Sequence, residues 1–93
     1  KDREEAIKIG QNLLQKRLAA CYNFFPIESA YWWKGKIEQQ KEFALFIKSK
    51  EELFGKVEKE IIQTHSYSTP EIAAIKVDKI NKPYLDWLTA SLS

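Results

Sequence analysis

Tyr31, Trp32 and Trp33 stand side by side in a run of β-forming residues, and no other feature restricts the fold as much. Successive side chains of a strand point to opposite faces, so three neighbouring aromatics cannot all enter one core. One face is left over. A chain of 93 residues supplies one compact domain and no more. The surplus face therefore implies either a ligand pocket or packing against another subunit, and subunit packing is the expectation.

The flanking residues give the order of elements. Asp2 followed by Glu5 has the spacing of a capping box, and Ala6, Gly10, Leu13, Leu14 and Leu18 recur at helical intervals, which predicts a helix from about Arg3 to Arg17. The run 20–33 predicts one long strand with a kink or bulge at Pro26. Lys34-Gly35 supplies a two-residue turn into 36–48, where Phe43, Leu45 and Ile47 alternate with Ala44, Phe46 and Lys48, and the two runs together predict a β-hairpin. Ser49, with Glu52 at the reciprocal position, is expected to cap a second helix carrying Leu53, Phe54, Val57, Ile61 and Ile62 to about Thr64. Residues 71–77 predict another strand, and Asn81-Lys82-Pro83 opens a short last helix with Leu85 and Leu88.

The order helix, strand, strand, helix, strand, helix is that of an α+β, ferredoxin-like subunit, a split β-α-β unit, lacking its first strand. In that arrangement the first strand lies inside the sheet, and its loss would leave backbone donors and acceptors unpaired. The sequence also has no methionine. A short apolar strand ahead of Lys1 is therefore expected, and 1–93 reads as one N-terminally incomplete domain with no internal repeat or linker.

Charge and composition exclude several functions. Fifteen Lys and Arg against thirteen Asp and Glu leave a net charge of +2, with both signs interspersed, so no basic face is available to a phosphate backbone. The glycine-aromatic consensus of RNA-recognition strands is missing from Lys41 to Lys50. Nucleic acid is not an expected partner, and neither is a membrane, because no apolar run approaches the roughly 20 residues that span a bilayer. The single cysteine, Cys21, cannot pair within the chain, which fits a reducing, cytoplasmic location. No glycine-rich phosphate loop is present, and no organic cofactor is expected.

Few residues can carry chemistry. Cys21 and His65 are the only soft or borderline metal ligands, and two side chains cannot close a tetrahedral structural zinc site. A symmetric oligomer that brings copies together, or adds Glu71 and water, can build an open copper-like site from N, S and O donors. Against this stands a plain alternative, Cys21 as a small apolar residue of a strand and His65 as the C-terminal residue of a helix. Lys48 is either a strand-end lysine reaching into solvent or an anion contact in a cleft. A Cys-His nucleophilic pair needs contact and a third orienting group, and the spacing of 21 and 65 supplies neither, so no enzyme activity is expected.

The runs 17–23 (Arg-Leu-Ala-Ala-Cys-Tyr-Asn), 31–37 (Tyr-Trp-Trp-Lys-Gly-Lys-Ile), 65–72 (His-Ser-Tyr-Ser-Thr-Pro-Glu-Ile) and 84–88 (Tyr-Leu-Asp-Trp-Leu) resemble, in order and spacing, the CutA family of divalent-cation-tolerance proteins. The resemblance implies a ferredoxin-like subunit in a tight homotrimer, built like the PII signalling proteins, that is not an enzyme and binds divalent metal ions, copper foremost. It implies an intersubunit pocket of Cys21, Tyr31, Trp32, Lys48, His65, Tyr67, Glu71 and Trp87, with Cys21, His65 and, more weakly, Glu71 as metal ligands. The second function consistent with this build is a PII-like sensor trimer that takes a small anionic metabolite in the intersubunit cleft, where Lys48 and Tyr67 would matter more than Cys21. The chain departs from the family in having Ser66 and Ser68 where a proline and an acidic or polar residue are usual, which frees the loop and removes a carboxylate from that edge of the pocket.

Overall fold

The computed structural model describes residues 2–65 and 70–93. The first helix, α1 (Arg3–Gln15), begins as its sequence dictates, with the Glu5 N–H donating to Asp2 Oδ1 at 2.8 Å. Its end is set by Arg17, whose φ of 56° turns the chain into the left-handed region. The Leu18 N–H then donates back to the Leu13 carbonyl at 2.9 Å and satisfies one of the last helical acceptors. The helix is therefore two residues shorter than its periodicity predicts, while Leu18 still enters the core.

The hairpin consists of β1 (Cys21–Trp33) and β2 (Lys36–Lys48), paired antiparallel from Cys21 opposite Lys48 to Trp33 opposite Lys36. Lys34 and Gly35 both have positive φ, 51° and 78°, as a two-residue turn of the kind matched to strand twist requires. The expected kink at Pro26 is absent, and Pro26 lies in register opposite Phe43. Among the described residues the sheet has two strands, so β1 has an edge without a partner there, where a missing N–H costs no ladder bond.

Two further expectations are corrected. Ser49 caps no helix; its hydroxyl donates to the Leu18 carbonyl at 2.7 Å, and a 3-10 turn over Glu51–Leu53 leads into α2 (Phe54–Thr64). Residues 71–77 form no strand, and Ile75 and Val77 are 87% and 66% exposed. In a ferredoxin-like sheet this run pairs with the first strand and not with the hairpin. No such strand occurs among the described residues, so no ladder can form.

The last helix, α3 (Lys82–Ser91), has Pro83 in its first turn. The core lies between the helices and one face of the hairpin. Ile9 and Leu13 of α1, Leu53, Val57 and Ile61 around α2, and Leu88 and Leu92 of the C-terminal stretch are buried together with Leu18 and Ala19, and Leu45 and Ile47 of β2 pack against them. A polar clasp joins α1 to α2 at the surface, where Asn12 Nδ2 and Lys16 Nζ donate to Glu60 Oε1 at 2.9 and 2.8 Å. These two bonds, Lys16's first, hold the Glu60 carboxyl below its ordinary range.

Candidate functional site

The candidate residues divide between the two ends of the hairpin. Cys21 opens β1 directly opposite Lys48, the last residue of β2, so both side chains lie on the face turned away from the core. Cys21 is free and half-buried, and its thiol donates to Asn23 Oδ1 at 3.8 Å. The Ala20 N–H donates to the Lys48 carbonyl at 2.9 Å and carries the pairing one residue past the strand.

The C-terminal helix is tied to the same end. Arg17 Nη1 donates to the Ser91 carbonyl at 3.3 Å, and the Ser93 N–H donates to the Arg17 carbonyl at 3.0 Å. Leu88 and Leu92 anchor this stretch in the core, which sets Tyr84 beside the hairpin. Lys48 Nζ lies 5.8 Å from the centre of the Tyr84 ring, and the Tyr84 ring lies 5.3 Å from that of Trp87 at 44°. Lys48 and Trp87 thus meet through Tyr84, a residue not singled out from sequence. Its signal was there, since 84 and 87 are three apart and share a helix face.

Tyr31 and Trp32 sit elsewhere. They face Glu38 and Ile37 next to the turn, ten residues along β1 from Cys21 and so about 33 Å away. Trp32 is 72% exposed, Trp33 56% and Ile37 63%. Part of the surplus aromatic face runs back along the strands. Phe25 and Phe46 meet edge to face at 5.2 Å on the side away from the core, and both remain exposed.

His65 ends α2, its N–H donating to the Ile61 carbonyl at 2.8 Å, so its place at a helix C-terminus is as read from sequence. Glu71 is exposed in the segment beyond, and Tyr67 lies outside the described residues. No three His, Cys, Asp or Glu side chains among the described residues come together in a group able to hold a metal ion, so Cys21, His65 and Glu71 of one chain do not form a closed ligand set. No helix among the described residues is long and apolar enough to cross a membrane.

The comparisons with known proteins agree with this geometry. Residues 1–91 match the family model for CutA1 divalent ion tolerance proteins. The divalent-cation tolerance protein CutA of Archaeoglobus fulgidus is 49% identical over 85 residues, covering 91% of this chain and 83% of the relative. The Thermotoga maritima protein of the same name is 45% identical over 89 residues, covering 96% of this chain and 88% of its own. Among solved structures, that of the periplasmic divalent cation tolerance protein CutA from A. fulgidus superposes with a TM-score of 0.97 at 46% identity, covering 99% of this chain and 90% of that one. CutA1 from Pyrococcus horikoshii gives 0.94 at 38% identity with the same coverage. The chain belongs to the CutA1 family of divalent ion tolerance proteins.

Proposed function

We propose that the protein is a non-enzymatic homotrimer that binds divalent cations, copper foremost, and contributes to metal tolerance. Membership of the CutA1 family carries the reading, because relatives nearly half identical over most of their length are named for divalent-cation tolerance. The donor chemistry supports it, since a thiolate and an imidazole suit copper and zinc better than harder ions. Cys21 and His65 are the proposed ligands, with Glu71 as a further oxygen donor.

The geometry of one chain supports a site assembled from several. The described His, Cys, Asp and Glu residues form no group of three, and on this reading the ligand set would draw donors from more than one copy or from solvent. The uncovered aromatic face of the hairpin is the surface by which copies would pack, and in the assembly Tyr31 and Trp32 of one subunit would approach the Cys21–Lys48 end of the next. The free cysteine favours a reducing, cytoplasmic location, which cell fractionation tests directly.

The test is titration calorimetry with Cu(II) and Zn(II) on wild type, Cys21→Ala and His65→Ala, with sedimentation velocity on each. A trimer whose stoichiometric Cu(II) site is lost in either variant supports the reading. A monomer at micromolar concentration overturns the assembly. Cu(II) binding unchanged in both variants overturns the ligand assignment.

A further inference from the structure

We propose that α3 is a strap and Arg17 its latch: the guanidinium at the end of α1 holds the last turn of α3 closed, and without it α3 swings away as a unit. The latch rests on the fold alone and does not depend on metal binding.

The first observation is an arginine where the backbone favours glycine. The Arg17 N–H donates to the Leu14 carbonyl at 3.0 Å and the Leu18 N–H to the Leu13 carbonyl at 2.9 Å, with Arg17 at a φ of 56° between them. This pair of bonds closes a helix through one left-handed residue, a position glycine fills most readily because it has no Cβ. Leu13 and Leu18 are buried in one cluster and supply the apolar contact that accompanies such an end. The turn itself makes no use of a long basic side chain. A residue kept in an unfavourable backbone region points to a use for it elsewhere in the structure.

The second observation is where that side chain goes. Arg17 Nη1 donates to the carbonyl of Ser91, the last residue of α3. A helix ends in unpaired carbonyls and partial negative charge, which a cation stabilises. Helix α3 has no basic residue in its own last turn, so α1 supplies the cation across the fold. The Arg17 carbonyl accepts from the Ser93 N–H as well, and one residue thus grips the C-terminal stretch by side chain and backbone. The other end of α3 is lightly held. Asn81 makes no side-chain cap, Lys82 pairs with Asp86 of the same helix, Leu85 is exposed, and 71–81 forms no regular element. The buried anchors, Leu88 and Leu92, lie toward the latched end. Release of Arg17 and these two leucines therefore frees the helix, carrying Tyr84 off Lys48 and Trp87 with it. That this would open the pocket rests on the function proposed above.

Hydrogen–deuterium exchange on the intact protein at one fixed concentration, in metal-free buffer with EDTA, tests the latch apart from the fate of the metal reading. Arg17→Gly relieves the backbone and removes the guanidinium. Its α1 amides should exchange as in wild type or more slowly, while those of 82–93 should exchange at least about fivefold faster. Arg17→Lys keeps a cation near the end of α3 and should fall between the two. Raising salt from about 0.05 to 1 M should speed exchange of 82–93 in wild type and do so less in Arg17→Gly, since the variant has no charge left to screen. A residue serving the turn alone predicts the reverse, a glycine variant whose α3 is protected as well as in wild type or better. That result overturns the proposal, as does exchange of 82–93 that changes only in step with α1, or a salt effect equal in both proteins.

Discussion

The same substitution should have opposite effects at two helical glycines. Replacing glycine by alanine within a helix gains up to about 1 kcal/mol, because the backbone has less freedom to lose. A Cβ at Gly55 in α2 meets nothing within 4 Å, so Gly55→Ala should realise much of that gain. A Cβ at Gly10 in α1 would stand 2.5 Å from Tyr22 Cδ2 and 2.6 Å from Cε2 and Cγ. Carbon atoms in contact rest about 3.5–4.0 Å apart, so the ring would have to retreat by about 1 Å. It is not free to do so. The Tyr22 hydroxyl accepts from Gln11 Nε2 at 3.1 Å, the ring stacks on Phe24 with centres 6.3 Å apart, and the Tyr22 backbone is in the ladder opposite Ile47. Overpacking of this kind costs about 1–3 kcal/mol. Set against the propensity gain, Gly10→Ala should lose up to about 2 kcal/mol and fall about 1–3 kcal/mol below Gly55→Ala. Guanidinium denaturation at one fixed protein concentration reads both variants as midpoint shifts at constant slope. A double-mutant cycle with Tyr22→Leu should return the loss at position 10 as a coupling energy, since a shorter side chain leaves room for the methyl group. If Gly10→Ala matches or exceeds wild type, or the cycle shows no coupling, the close approach of α1 to the hairpin is not what fixes glycine at this position.

Leu13 is fully buried at the centre of the core, and Leu13→Ala should cost about 2–5 kcal/mol in the same assay. Gly35 has a φ of 78° with open space around it, so Gly35→Ala should cost about 1–2 kcal/mol from backbone strain alone, without a steric clash. Glu60 has its carboxyl held below the ordinary range near 4.3, so its contribution is complete above that value and is lost as pH falls through the lowered one. Thermal melting of Glu60→Gln should therefore lie below wild type at neutral pH and converge on it in acid, with equal separation at pH 7 and pH 3 counting against the clasp.

Most helices and the hairpin were legible because their signals are local. Asp2 and Glu5 lie within one turn of each other, Lys34-Gly35 carries the turn it forms, and Pro83 opens its helix. The failures share a different cause. Ser49 has the composition of a cap, but a distant acceptor, the Leu18 carbonyl, takes its hydroxyl instead. Pro26 reads as a break, yet it is harmless on an edge. Residues 71–77 have strand composition, but β-propensity records fit to a neighbouring strand, and no neighbour is available among the described residues.

The candidate site was legible as a set of residue types and not as a place. Lys48 and Trp87 were identified separately, and only the docking of α3 through Leu88, Leu92 and the Arg17 bonds brings them to one ring. Tyr31 and Trp32 were assigned to the same pocket, although one chain holds them about 33 Å from Cys21 along the strand. The hairpin itself accounts for this separation. Its core contacts come from Leu45 and Ile47 near the Cys21–Lys48 end, while the stretch from Tyr31 to Ile37 projects as a two-stranded ribbon with two exposed tryptophans. An isolated ribbon is marginal in water. Trp32, which with Tyr31 would complete the proposed pocket, is also one of the two tryptophans that a partner's surface would cover, and on this reading assembly and site completion are one event: covering the ribbon would deliver Tyr31 and Trp32 to a neighbour's Lys48.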